Sequence, residues 1–331
     1  MPLVRRASVL AAAAAAVLAL ASCSPTTAPA AAAQTRTVTD VEGTPVVVPA
    51  HPRRVVTLSE PTLDGALALG VVPIGTVSGR GQSTAPGYLL DKAADIPVLG
   101  GVAQPNYEAI GTAKPDLLLV DGTSINNNAE AIAVLRRIAP VVVTGYAGGD
   151  WRANFTLVAD ALGRADEGAQ VLADYDAHVA DVKAQLGAYA DDTFSIVRWQ
   201  GSSASLILEE LPPGQALTDL GLARPASQDR RGRGHSEPVS LENLADIDAD
   251  YIFFGTLGGS SVDNAGAGGG TDQAAAQAAL DEAAATPGFT DLTAWKDGHV
   301  VLVDGSLWTS TGGPLLMTGI VDAVRDALVE D

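Results

Sequence analysis

Arg230, Arg231 and Arg233 crowd one short stretch that runs into His235, in a chain with 39 Asp and Glu against 20 Lys and Arg and a formal charge of −19. So dense a positive patch in an acidic protein calls for a negative partner. Guanidinium forks match the paired oxygens of carboxylates and similar anions, each charge-assisted bond being worth about 1.5–3 kcal/mol. The competing reading is a solvated loop neutralised by nearby acids such as Asp246 and Asp248. Arg80, in Ser78-Gly79-Arg80-Gly81, follows the apolar run 72–77. It therefore stands at a strand end, where open α/β sheets hold their ligands.

Other chemistries have less to work with. Cys23 is the only cysteine, and with its thiol expected to carry a lipid nothing remains for disulfides, thiol catalysis or cysteine-based metal binding. The four histidines, His51, His178, His235 and His299, are spread over the chain without the convergent spacing that a zinc or manganese site needs. Ser202-Ser203-Ala204-Ser205 lacks the nucleophile elbow of serine hydrolases. The glycines of 75–81 do not complete a dinucleotide fingerprint, and the Gly-rich stretch 258–270 lacks the Walker spacing and lysine, which leaves it as a mobile loop. An excess of acid also opposes binding to nucleic-acid phosphates.

The N-terminus supplies an address. Arg5 and Arg6 precede the apolar run 7–21, which ends in Leu20-Ala21-Ser22-Cys23. A positive start and an apolar run shorter than the roughly 20 residues of a membrane span describe a signal peptide, and Cys23 stands where a lipobox places the lipidated thiol. The expected mature protein is tethered to the outer face of the cell membrane, with either Sec or twin-arginine export open. Setting aside the two arginines of 1–22 leaves 18 basic against 39 acidic side chains, a formal charge of −21. Residues 23–36, rich in Ala, Thr and Pro, read as a flexible tether.

What must position the arginines is an alternation of short apolar, β-branched runs with helical periods. Residues 37–49 read as a hairpin around Glu42-Gly43. Strands are predicted over 54–59, 72–77, 116–121 and 141–144, with helices over 61–69 and 126–138. The pattern restarts with strands over 193–199, 249–255 and 300–303 and helices over 215–220 and 315–329. Such alternation implies mainly parallel sheets covered on both faces. Between the halves, Val171, Leu172, Tyr175, Val179, Val182 and Leu186 recur at helical spacing, predicting one helix over 166–186 about 30 Å long.

Several stretches resemble a known family, the substrate-binding proteins of ABC importers for ferric siderophores, haem and cobalamin. They include Pro52-Arg53-Arg54-Val55-Val56-Thr57-Leu58, Leu67-Ala68-Leu69-Gly70-Val71-Val72-Pro73-Ile74-Gly75, Lys114-Pro115-Asp116, Val239-Ser240-Leu241-Glu242-Asn243-Leu244 and Trp295-Lys296-Asp297-Gly298-His299-Val300. The resemblance implies an α/β fold of two Rossmann-like lobes with mainly parallel sheets. They span 37–160 and 189–331, joined by a single long helix within 161–188, with the ligand cleft between them.

It further implies a monomer without covalent cofactor or catalysis, which captures Fe(III) as a siderophore complex and passes it to ABC permease subunits. Glu108 and Glu242 match the carboxylates that meet the permease. The 230–235 loop would face the cleft, with Arg80 opposite. Tyr107 and Asn126 on the first lobe and Trp199 and Trp308 on the second would contact a large flat ligand. One departure is that Gly101-Val102-Ala103-Gln104 carries no arginine where hydroxamate-binding relatives often have one, which leans the site toward an anionic chelate. Cobalamin or haem binding, a bare zinc or manganese lipoprotein and an exported enzyme are the alternatives.

Overall fold

The structure, a computed structural model, describes residues 34–258 and 270–329. The expected signal peptide, Cys23 and nearly all of the tether therefore lie outside the described residues, as do 259–269 of the Gly-rich loop. Among the described residues no helix is long and apolar enough to cross a membrane.

The chain enters on an antiparallel hairpin, β1 (Thr35–Thr39) with β2 (Pro45–Pro49), paired from Thr35↔Pro49 to Thr39↔Pro45. The Asp40 carboxylate closes the turn by accepting from the backbone N–H groups of Glu42 at 3.0 Å and Thr44 at 2.8 Å. Strand β1 starts at Thr35, and Arg36 within it pairs with Asp160 at 3.0 Å. Composition alone could not show that contact.

The first lobe continues with β3 (Val55–Thr57), α1 (Glu60–Ala68), β4 (Thr76–Ser78), α2 (Leu90–Ala93), β5 (Val98–Gly101), β6 (Gln104–Pro105), α3 (Tyr107–Ala113), β7 (Leu117–Asp121), α4 (Ala129–Leu135), β8 (Val141–Gly145) and α5 (Trp151–Leu162). Strands β3, β7 and β8 are parallel neighbours, and a parallel bridge from Val56 to Gly75 carries the order on toward β4, β5 and β6. Every residue of β7 and β8 is buried, as expected of strands covered on both faces.

Two expected elements start three or four residues late. Of the run 72–77 only its end is strand: Pro73 has no N–H to give a ladder, and Val72 is 67% exposed. The helix expected over 126–138 starts at Ala129, because Asn126 and Asn127 are left-handed at φ 55° and 53°. Asn128 caps it, its Oδ1 accepting from the N–H groups of Glu130 and Ala131.

The long helix α6 (Ala165–Lys183) follows, ending three residues short of the expected 186. It packs on α5 through Gly168, where a Cβ would lie 2.5 Å from the Ala159 Cβ. The second lobe runs β9 (Phe194–Gln200), β10 (Ser203–Leu206), α7 (Pro212–Leu220), β11 (Glu237–Val239), a 3-10 turn Leu241–Ile247, β12 (Tyr251–Gly255), α8 (Gln273–Ala284), α9 (Thr293–Asp297), β13 (Val300–Leu302), α10 (Gly305–Trp308) and α11 (Pro314–Leu328). Its sheet has the order β11-β10-β9-β12-β13, parallel over β9-β12-β13 and antiparallel at β10 and β11.

Helices α6 and α11 bind the lobes together. A single apolar cluster joins Phe155 and Val158 of the first lobe to Tyr175 and Val179 of α6 and to Leu217, Ile320 and Val324 of the second. The α11 N-terminus is also held from the first lobe: the buried Asp64 of α1 accepts from the N–H groups of Leu315 and Leu316, both at 2.9 Å. Burial pushes the Asp64 carboxyl above its ordinary value, against the pull of those N–H bonds.

Candidate functional site

The strand ends of the two lobes meet around a cavity of about 60 Å³. The loop after β4 brings Arg80, the turn after β7 brings Thr123, and the end of β8 leads to Ala147. From the second lobe come Arg198 at the end of β9, Gly234 to Ser236 of the arginine loop, and Thr309 to Thr311 after α10.

Arg80 is committed within the protein. Its backbone N–H donates to Glu60 Oε1 at 2.7 Å, and its Nη1 makes an ion pair with Glu60 Oε2 and donates to Thr311 Oγ1 at 2.8 Å. Glu60, the first residue of α1 and only 2% exposed, also accepts from the Ser310 hydroxyl at 3.0 Å and the Thr311 hydroxyl at 3.2 Å. The carboxylate thus ties both lobes to one point. Asp121, at the end of β7, is pushed up to about 6 by burial, opposed by the Arg80 charge and by the N–H groups of Ser124 and Thr123.

Arg198 is placed by strand alternation. Phe194 and Ile196 pack into the cluster shared by the lobes while Val197 and Trp199 face the opposite core, so Arg198 falls on the inter-lobe face at the strand end. Its Nη2 donates to the Ser236 hydroxyl, its Nε is buried without a partner, and among the described residues no carboxylate pairs with it. Burial, with the Arg80 charge behind it, lowers this guanidinium to about 10. Beside it, His235 Nδ1 lies 2.9 Å from the Ser236 carbonyl.

The arginine loop is shaped from beneath by Glu210, 2% exposed, whose carboxylate accepts from the N–H groups of Gly232 and Gly234. At its rim, Arg231 donates to the Gly148 carbonyl of the first lobe at 2.6 Å. Gly148 and Gly234, both left-handed at φ 80° and 81°, meet there backbone to backbone, and a Cβ on Gly148 would lie 2.7 Å from the Gly234 Cα. Arg231 also faces a neighbouring open cleft of about 420 Å³ with Arg152, Glu209 and Asp219.

The remaining expected residues separate into groups. Arg230 is turned away, pairing with Glu237 and donating to the Ser227 carbonyl at 3.0 Å, and Arg233 is exposed. Trp199 and Trp308, expected against a ligand, are core side chains at 0% and 1% exposure. Trp199 packs against Phe254 and Phe289, and Trp308 stacks on Phe253 at 4.2 Å. Tyr107 packs half-buried on the first-lobe core, and Asn126 is exposed at a left-handed turn. Glu108 and Glu242 are exposed in the first turns after the caps Asn106 and Ser240.

The histidines occupy separate surroundings. His51 is exposed, His178 pairs with Asp322 at 2.9 Å, and His299 stacks on Tyr251 at 4.2 Å. Among the described residues no three His, Cys, Asp or Glu are grouped to hold a metal ion. Ser203 to Ser205, considered as a nucleophile stretch, form part of β10. Glu60, Asp121 and Arg198 escaped the sequence reading. The one available signal was a lone charge, Arg198, in the mostly apolar strand Phe194–Gln200.

Comparison with known proteins gives this geometry a family. Residues 55–307 match the model of the family described as periplasmic binding protein. The probable siderophore-binding lipoprotein YfiY of Bacillus subtilis is 31% identical over 88% of this chain and 87% of its own length. The Fe(3+)-citrate-binding protein YfmC of the same organism is 26% identical over 84% and 81%. In fold, Staphylococcus aureus SirA complexed with staphyloferrin B superimposes with a TM-score of 0.72 at 23% identity, over 89% of this chain and 98% of that one. With its two α/β lobes joined through a long helix and a strand-end cavity between them, the chain belongs to the periplasmic binding protein family.

Proposed function

We propose that this protein captures a ferric siderophore between its lobes and delivers it to an ABC importer. The observation that carries the reading is the convergence of Arg80 and Arg198 on one cavity at the strand ends, in a chain whose relatives are named for siderophore and ferric citrate binding. Guanidinium groups suit the oxygens of an iron chelate, and iron arriving already wrapped needs no histidine cluster from the protein. Ligand entry requires the Arg231–Gly148 rim to part, since a cavity of about 60 Å³ is smaller than the several hundred Å³ of usual small-molecule sites.

The protein performs no chemistry of its own in this reading. It is held outside the cytoplasm by a lipid on Cys23 and acts as a monomer, with Glu108 and Glu242 meeting the permease. The test is quenching of tryptophan fluorescence by ferric catecholates, ferric hydroxamates, ferric citrate, haem and cobalamin. Trp308 adjoins Thr309 of the cavity wall and gives the measurement a reporter. Saturable quenching by an iron chelate is expected. Binding of haem or cobalamin alone would replace the siderophore with one of those ligands, and binding of none would end the reading.

A further inference from the structure

The two guanidinium groups that meet in the cavity are not equivalent. Arg80 already has a counter-ion, for Glu60 receives its backbone N–H and its side chain and is completed by the Ser310 and Thr311 hydroxyls. Arg198 has a hydroxyl partner, a buried Nε with nothing to bind, and no carboxylate among the described residues. Asp121 adds a second acid near Arg80 on the first-lobe side. The positive charge left for a ligand therefore resides on the second lobe.

We propose that Glu60 is a specificity-determining residue: by holding Arg80 in an ion pair it leaves Arg198 as the cation that meets the ligand, so the cleft favours chelates of low negative charge over trianionic ones. The physical ground is that a charge carried into a closed, poorly hydrated cleft must find its counter-charge there. Among the residues that line this cavity, Arg198 is the guanidinium without a carboxylate, and it offsets one negative charge. A trianionic chelate would carry the excess unpaired, whereas a chelate with one negative charge is matched. The inference rests on the siderophore reading and adds the charge class of the chelate to it.

The experiment measures, by fluorescence quenching, the affinities of an uncharged ferric trihydroxamate and a trianionic ferric tricatecholate for the full-length protein and two variants. Glu60→Gln releases Arg80 from its counter-ion and keeps the shape of the side chain. It should move the affinity ratio toward the tricatecholate by about tenfold. Arg198→Met should move the ratio the other way by a similar factor. It leaves every Glu60 contact in place, so it decides the matter even if Glu60→Gln fails to fold.

A ratio unmoved in folded Glu60→Gln would overturn the assignment, as would an Arg198→Met protein that loses both chelates equally. Binding of either chelate to the native protein with no such movement would remove only this inference. Failure of the native protein to bind any ferric chelate would remove the siderophore reading and this inference with it.

Discussion

Arg80 and Thr311 belong to different lobes, yet Arg80 Nη1 donates to Thr311 Oγ1 at 2.8 Å while both bind the Glu60 carboxylate. Thr311→Val keeps the shape and removes the hydroxyl, leaving a buried ion pair one bond short. That should cost about 1–3 kcal/mol and lower the melting temperature by several degrees. An unchanged melting curve would mean that the lobes are held at this point by packing alone.

Asp121 makes stability depend on pH in a stated direction. Its carboxyl titrates near 6 in the folded chain against an ordinary 3.8, so the native state holds the proton more tightly than the unfolded one. This group therefore disfavours folding above about pH 6, and the penalty is relieved as the pH falls from 6 toward 4. Asp121→Asn should stabilise by up to about 3 kcal/mol at pH 7.5 and by much less at pH 4.5. Equal shifts in melting temperature at both values would contradict the buried, ionised carboxylate.

Gly168 lets α6 lie against α5. A Cβ there would stand 2.5 Å from the Ala159 Cβ, so Gly168→Val must push the helices apart. Overpacking of this kind costs about 1–3 kcal/mol, more than the gain from replacing a helical glycine. Chemical denaturation should show the loss, and Ala159→Gly in the same chain should restore part of it.

Glu108 and Glu242 are exposed and do not line the inter-lobe cavity, so charge reversal at both should leave chelate affinity intact. Exposed ion pairs steer encounters more than they add affinity. Uptake of radioactive iron by cells carrying Glu108→Arg with Glu242→Arg should therefore fall severalfold or more while the purified protein binds as before. Normal uptake would remove the docking role.

Legibility in the sequence followed burial. Strands β7, β8 and β12 were readable because a sheet covered on both faces demands continuous apolar runs. The edge strands β10 and β11 were missed: Ser203, Glu237 and Pro238 do not read as strand, and their pairing comes from chain neighbours that periodicity cannot see. The 126–138 prediction failed at its start because two asparagines took the left-handed turn open to their short polar side chains.

The site was legible only where charge stood out. Arg80 showed itself by following a strand, and the arginine loop by its density, yet Glu237 and Gly148 occupy Arg230 and Arg231. Arg198 was overlooked beside Trp199 although alternation sends the two to opposite faces. Glu60 looked like an ordinary acid in a first helical turn, since its partners lie 20 and 250 residues away in the chain.

The seam between Gly148 and Gly234 has a practical corollary. Because bare backbone touches bare backbone there, a methyl group placed on Gly148 would act as a wedge in a door frame, propping the shell ajar while leaving the cavity wall chemically untouched. If the lobes close on a chelate as proposed, shutting and recognising become separable by a single carbon atom.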